Sequence, residues 1–404
     1  MAGRLVVRRA ALFSQLSPRC VTVAELQPVT PIVSQLHTQL RRRLISTSKT
    51  NPGIISGKMQ TLGNTLAENF GGPLSKLGSE QFELDDCPDL TDKVGVVTGG
   101  SEGIGFGVAY TLLKHNISKL YIISVAPEIM EGAKKVIAGE LGQDKADRIE
   151  WLGCDLSDWN RVHEIAEIIK SKSPRLDILV NNSGRGIMTP TLTSYGVDRH
   201  MAINHMGHVI LTSHLLPLMQ KTAKEHNTTV RISNQSSNLH NAAPSDTKFA
   251  SLEEINSDAG PNGQYGRSKL AAILYARYFD RNVTQKGHPN VLMNATHPGF
   301  ASTKQSRKDI LEPYPLSGLI MKYGVEPLKK DQFEAAIPTI FCATTTTKSG
   351  QYICAPCIPE EGSEMSQSAE LGDQLMALTR EIIAEKTKKD SIERGCPMDD
   401  VVVH

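Results

Sequence analysis

The feature that most constrains this chain is eight residues long: Thr98-Gly99-Gly100-Ser101-Glu102-Gly103-Ile104-Gly105. The apolar run Val94-Gly95-Val96-Val97 precedes it, and Phe106–Lys114 follows with apolar residues at helical spacing. The order predicts a strand, a tight turn and a helix. Glycine permits backbone shapes that a Cβ forbids, so such a turn can be sharp. A helix that starts there points unpaired N–H groups and the positive end of its dipole at whatever lies in front. A pyrophosphate is the natural occupant. The spacing is TGxxxGxG and not the GxGxxG of the dinucleotide fingerprint, so the turn alone also suits plain packing of a helix on a sheet.

Downstream, strand-like and helix-like stretches alternate as a doubly wound sheet requires. Leu120–Ser124 reads as a strand, Glu128–Leu141 as a helix ending at Gly142, and Arg148–Gly153 as a strand leading to Cys154-Asp155-Leu156. Trp159–Lys170 carries Val162, Ile165, Ile168 and Ile169 on one helical face. Leu176–Val180 runs into Asn181-Asn182-Ser183-Gly184, and a long helix is predicted over roughly Gly196–Gln220. A strand at Thr229–Asn234, a polar insert from Asn238 to Gly263, a helix at Tyr265–Asn282 and a strand at Val291–Thr296 follow. Gln374–Lys386 reads as a last amphipathic helix. The expected fold is one α/β domain from about Thr91 to Ser391, a Rossmann-type parallel sheet of seven strands with helices on both faces.

Six motifs stand in order at the ends of these elements: the glycine turn, Asn181-Asn182-Ser183-Gly184, Asn204, Ser236-Ser237, Tyr265-Gly266-Arg267-Ser268-Lys269 and His297-Pro298-Gly299. Together they resemble the short-chain dehydrogenase/reductase family over about residues 91–300. About 28 residues separate Ser237 from Tyr265. That long gap is similar to the subgroup of retinol dehydrogenases and WW-domain oxidoreductases, whose substrates tend to be bulky and apolar.

The residue types suit alcohol–carbonyl chemistry. Hydride transfer to a carbonyl leaves an alkoxide that needs a proton, and the reverse needs an alcohol proton removed. A phenol's ordinary pKa near 10 is poorly matched to neutral pH. Lys269 follows Tyr265 by one helical turn, where its charge, and that of an oxidised nicotinamide, would stabilise phenolate. The resemblance implies that Tyr265 is the acid/base and that Lys269 also holds the nicotinamide ribose. It implies further that a strand-end serine orients the substrate oxygen and that Asn204 orders water towards Lys269. Successive strand side chains face opposite ways, so only one of Ser236 and Ser237 can serve. Alignment with the family's strand favours Ser237. Cofactor contacts implied are Thr98, Gly99, Ser101, Gly103, Ile104, Gly105, Asp155, Asn182, Tyr265, Lys269, Pro298 and Thr303. Asp155 also suits a helix N-cap.

The cofactor expected is NADP or NAD. An acid ending the second strand would read a ribose 2′-hydroxyl, and a base would take a 2′-phosphate. This chain has Ser124-Val125-Ala126, and Glu102 where NADP-preferring relatives often carry a base. The missing acid leans the choice towards NADP. Ser183 stands where the family has alanine. Residues 300–331 match the family's substrate lid, and Leu316, Leu319, Ile320, Met321 and Tyr323 suit a lipophilic substrate or a homo-oligomer contact. Two other readings share the scaffold: reduction of a carbon–carbon double bond, and a non-enzymatic dinucleotide-binding scaffold or sensor.

The first fifty residues read differently from the rest. They hold eight basic residues, among them Arg4, Arg8, Arg9 and Arg41-Arg42-Arg43, against the single acid Glu25. Arg-rich, Ser-containing and acid-poor is the composition of a mitochondrial transit peptide, with a retained basic arm on a cytoplasmic protein as the alternative. The remaining chain has 36 basic against 42 acidic residues, so no basic footprint for nucleic acid survives. Residues 51–90 read as a linker packed on the domain, and 392–404 as a tail. No uninterrupted apolar run reaches the ~18 residues of a spanning helix. Seven scattered cysteines argue against a disulfide framework, and Cys354-Ala355-Pro356-Cys357 lacks the strand-to-helix setting of a redox motif. His205, His208 and His214 share one helix without carboxylates or thiols at ligand spacing, so no metal is expected.

Overall fold

The computed structural model describes residues 82–299 and 331–394. Residues 1–50, most of 51–90, Thr303 with the rest of 300–330, and 395–404, on which the expected transit peptide or basic arm, linker, lid and tail fall, lie outside the described residues.

Eight strands form one sheet: β1 Val94–Thr98, β2 Lys119–Ser124, β3 Ile149–Gly153, β4 Ile178–Asn181, β5 Val230–Gln235, β6 Val291–His297, β7 Tyr352–Cys354 and β8 Ile358–Glu360. Their order is β3-β2-β1-β4-β5-β6-β7-β8, and β1 to β7 pair in parallel. The expected seven parallel strands are present. The eighth, antiparallel to β7 with Tyr352 opposite Glu360, was not expected. It arises because Cys354-Ala355-Pro356-Cys357 is the turn of a hairpin and not the end of the sheet. At the edge Pro359 is tolerated, because no further strand needs its N–H.

Alternate strand residues face opposite ways and enter two separate cores. Val96, Tyr121, Ile123 and Leu179 join one, while Val97, Leu120, Ile122, Ile178 and Val180 join the other. Helices α1 Gly103–Lys114 and α2 Pro127–Leu141 cover the second core. The first core is covered by α3 Trp159–Lys172, α4 Gly207–Glu225 and α5 Gly260–Phe279. A short helix, α6 Ile337–Thr344, lies on the second core, and the long C-terminal α7 Ala369–Arg394 adds Leu375, Met376 and Ile382 to the first. Burial on both faces explains why β1 and β4 read as apolar runs without alternation. No helix among the described residues is long and apolar enough to cross a membrane.

Two local features bear on the site. The chain reverses order between β1 and β4, so the carboxyl ends of these neighbours diverge into a crevice where open α/β sheets bind ligands. The helix predicted over Gly196–Gln220 is interrupted: after Arg199–Met201, a π-helical turn spans Ala202–Met206 before α4 begins. Single π turns inside helices are frequent at functional sites.

Candidate active site

The glycine turn lies at the mouth of that crevice. Gly99 and Gly103 have φ of +67° and +57°, backbone that side chains with a Cβ rarely adopt. A Cβ on Gly105 would stand 2.1 Å from Gly99 O and 2.5 Å from Asn182 Nδ2, so no side chain fits. Glu102 is the N-cap of α1, yet its side chain makes no capping bond, which leaves the helix terminus open to an anion. Ser101 is buried in the turn and Ile104 half-buried in the first helical turn.

Thr98 joins β1 to β4. Its hydroxyl accepts from the backbone N–H of Asn182 and of Ser183, both at 2.9 Å, and meets His208 Nε2 at 3.0 Å. The side chain is fully buried, so any ligand contact at Thr98 falls to its backbone. Asn182 Nδ2 in turn donates to Thr98 O at 3.0 Å, which fixes the amide beside the glycine turn.

On α5, Tyr265 is half-buried and Lys269 buried one turn further on. Lys269 Nζ lies 5.5 Å from the centre of the Tyr265 ring and donates to Gln235 O at 2.8 Å. Burial pushes the Lys269 ammonium down to about 8. Two serines at the end of β5 divide their work. Ser236 Oγ donates to Lys269 O at 2.7 Å and pins α5 to the strand. Ser237 Oγ accepts from Leu239 N at 3.2 Å and caps the 3-10 turn Asn238–Ala242. Asn238 N donates to His297 Nδ1 at 3.3 Å, tying that turn to the end of β6, where Pro298 is buried and Gly299 turns with φ of +78°.

Asn204 sits in the π turn. Its Oδ1 accepts from Arg185 N at 2.7 Å, and its Nδ2 donates to Arg185 O at 3.0 Å and Ser268 Oγ at 2.9 Å. Gly184 stands between Asn204 and Lys269: a Cβ there would lie 3.1 Å from Asn204 Oδ1 and 3.5 Å from Lys269 Nζ. Behind them, Asn181, Asn204, His208 and Gln235 help to line a polar cavity of about 10 Å³, room for one water molecule.

The far end of the crevice is less committed. Asp155 Oδ1 accepts from Ser157 N and Ser157 Oγ, and Oδ2 pairs with Arg199 at 2.8 Å. The N-cap role open to Asp155 in the sequence belongs to Asp158, which accepts from Arg161 N. Ser124 Oγ accepts from Trp151 Nε1 at 3.0 Å, and Val125 is 68% exposed beside it. No carboxylate stands on β2 or on the two residues after it.

Three features of the site have no clear mark in the sequence: His208 as the partner of Thr98, the π turn, and Gly266. A Cβ on Gly266 would lie 2.7 Å from Ala242 C, Ala243 N and Leu239 O, so this glycine lets α5 rest on the turn that Ser237 caps. Its place inside YxxxK, one residue after Tyr265, was the available signal. Taken together, a cradle that any Cβ would fill, an uncapped helix terminus and a buried ammonium fit a dinucleotide's pyrophosphate and ribose.

The profile described as short chain dehydrogenase matches residues 93–250. The bli-4 protein of Neurospora crassa, whose name calls it an oxidoreductase and mitochondrial, is 59% identical over 98% of each chain. The WW domain-containing oxidoreductase of Homo sapiens is 27% identical over 75% of this chain and 71% of its own. Among solved structures, an uncharacterised protein from Mycobacterium paratuberculosis superposes with a TM-score of 0.57 at 22% identity, covering 75% of this chain and 97% of that one. That last likeness concerns the fold.

Proposed function

The chain belongs to the short-chain dehydrogenase family and is an oxidoreductase of it, and from that premise we propose that it interconverts an alcohol and a carbonyl with NAD(P)(H). The observation that carries the proposal is the pairing of Tyr265 with the buried Lys269 ammonium, 5.5 Å from its ring. When bound, the nicotinamide supplies or accepts the hydride. Tyr265 gives its phenolic proton to the nascent alkoxide, or as phenolate takes the alcohol proton in reverse. Lys269 favours the phenolate by its charge, and its N–H groups not spent on Gln235 O bind ribose hydroxyls. Ser237 donates to the substrate oxygen, and Asn204 orders water towards Lys269.

The backbone of Gly99, Ser101, Gly103, Ile104 and Gly105 holds the pyrophosphate. Thr98 contributes its backbone, and Asp155, Asn182, Pro298 and Thr303 complete the cofactor contacts. The missing carboxylate after β2 favours NADP over NAD. For a bulky apolar substrate the support is the half-buried Ile187 and Met188, just past Gly184, together with the apolar lid sequence. Residues 1 to about 48 are proposed to direct import into mitochondria, supported by their composition and by the name of the bli-4 relative. N-terminal sequencing should then find the mature chain starting near Ser46–Thr50, whereas an intact Met1 or Ala2 on cytosolic protein would contradict import.

A panel of apolar alcohols, aldehydes and ketones, run with NADH or NADPH and their oxidised forms, tests the activity. Turnover on the C–OH/C=O members, faster with NADP(H), is expected. Tight dinucleotide binding without turnover would instead mark a scaffold or sensor. Isotope from a labelled hydride found on a reduced carbon–carbon bond would overturn the reaction class.

A further inference from the structure

His214 has no carboxylate or thiol partner at ligand spacing on α4, but the fold brings it to α3. His163 Nδ1 and His214 Nε2 stand 3.0 Å apart, with the rings edge to face at 73°. Glu167 follows His163 by one turn, on the same face of α3. One ligand atom from each of the three lies within 4.8 Å of the others, the only such group of histidines, cysteines and acids among the described residues. The two rings are buried and the carboxylate is exposed, so the group opens to solvent at the seam between α3 and α4.

We propose that His163, His214 and Glu167 form a binding site for a divalent transition-metal ion such as Zn2+, with water in the fourth position. Two imidazoles and a glutamate are a donor set zinc accepts together with a water ligand. A tetrahedral ion at its usual bond length separates two imidazole nitrogens by about 3.3 Å, so the observed spacing is only a few tenths of an ångström short. Without an ion, one ring donates its N–H to the other. Binding needs the tautomer in which both facing nitrogens offer lone pairs. The bound ion would clip α3 to α4, the helix that continues from the Asn204 turn. Lys170 opposes it: its ammonium lies 2.5 Å from the Glu167 carboxylate and repels a dication.

The full chain, reduced and stripped with chelator, is titrated with Zn2+ and with Co2+. One ion per chain is expected, with a cobalt spectrum of nitrogen and oxygen donors that lacks a thiolate charge-transfer band. Glu167→Gln, at an exposed position, should weaken binding roughly tenfold or more, and His214→Gln by more than about a hundredfold. Lys170→Met should tighten it. If His214→Gln does not fold, the Glu167 and Lys170 variants decide. A thiolate band, no binding, or the same affinity in Glu167→Gln and Lys170→Met as in the parent chain would overturn the site.

Discussion

Lys269 concentrates the physical tension of the site. Its ammonium is buried with one backbone acceptor, Gln235 O, and its pKa falls to about 8. At pH 7 it keeps its proton, so its charge acts on Tyr265. An unfolded lysine titrates near ~10.4, so below about pH 8 charging the buried amine opposes folding, and the penalty fades as pH rises from there. In urea denaturation, the stability of the parent chain relative to Lys269→Met should therefore climb above pH 8, by at most ~1.4 kcal/mol per pH unit. The same variant should lose turnover and shift its pH–rate profile to the alkaline side, because Tyr265 loses the charge that favours phenolate. A profile that superposes on the parent's would contradict this role. At this scale the sequence was most legible where a residue type has one use. Tyr265 and Lys269 could be paired from their spacing. Asp155 could not be resolved, because its alternative depended on which of two nearby aspartates, Asp155 or Asp158, begins α3.

Among elements, what the sequence disclosed and what it hid divide by the range of the forces involved. Strands β1 to β6 and helices α1 to α5 follow from apolar runs and helical periodicity, which are local. The hairpin strand β8 was hidden because three residues, Ile358–Glu360, carry too little pattern to stand out. The π turn at Ala202–Met206 was hidden because its sequence reads as ordinary helix. Gly266 shows how an element contact positions the chemistry. Its missing Cβ lets α5 lie against the turn capped by Ser237, bringing the Tyr265 helix to the end of β5. Gly266→Ala would meet three backbone atoms at 2.7 Å, where nothing flexible can yield. The expected cost is that of overpacking, about 1–3 kcal/mol by thermal or urea unfolding, together with a loss of turnover much larger than the loss of dinucleotide binding. Parent-like turnover would show that α5 can shift without disturbing the site.

At the scale of the molecule, one sheet with a core on each face holds several histidines out of water. Burial pushes His205 and His208 down to about 3 and His214 to about 4. Their unfolded counterparts titrate near ~6.5, so the unfolded chain takes up protons first as pH falls. Each histidine then withdraws up to ~1.4 kcal/mol per pH unit below that value, until its folded pKa is reached. Three together amount to about 4 kcal/mol by pH 5.5, a large share of the ~5–15 kcal/mol that stabilises a typical fold. The urea midpoint should drop clearly between pH 7.5 and 5.5, and an unchanged midpoint would mean that these rings are not buried neutral. The same architecture brings the ends of β1, β4, β5 and β6 to one crevice, and the proposed reaction would draw there on six short motifs spread over some two hundred residues. That convergence is tested most directly by Tyr265→Phe, which removes the proton donor and almost no volume. Dinucleotide affinity should persist while turnover on the best alcohol or carbonyl substrate falls by roughly 10²–10⁴-fold. Turnover close to the parent's, with dinucleotide still bound, would contradict the account.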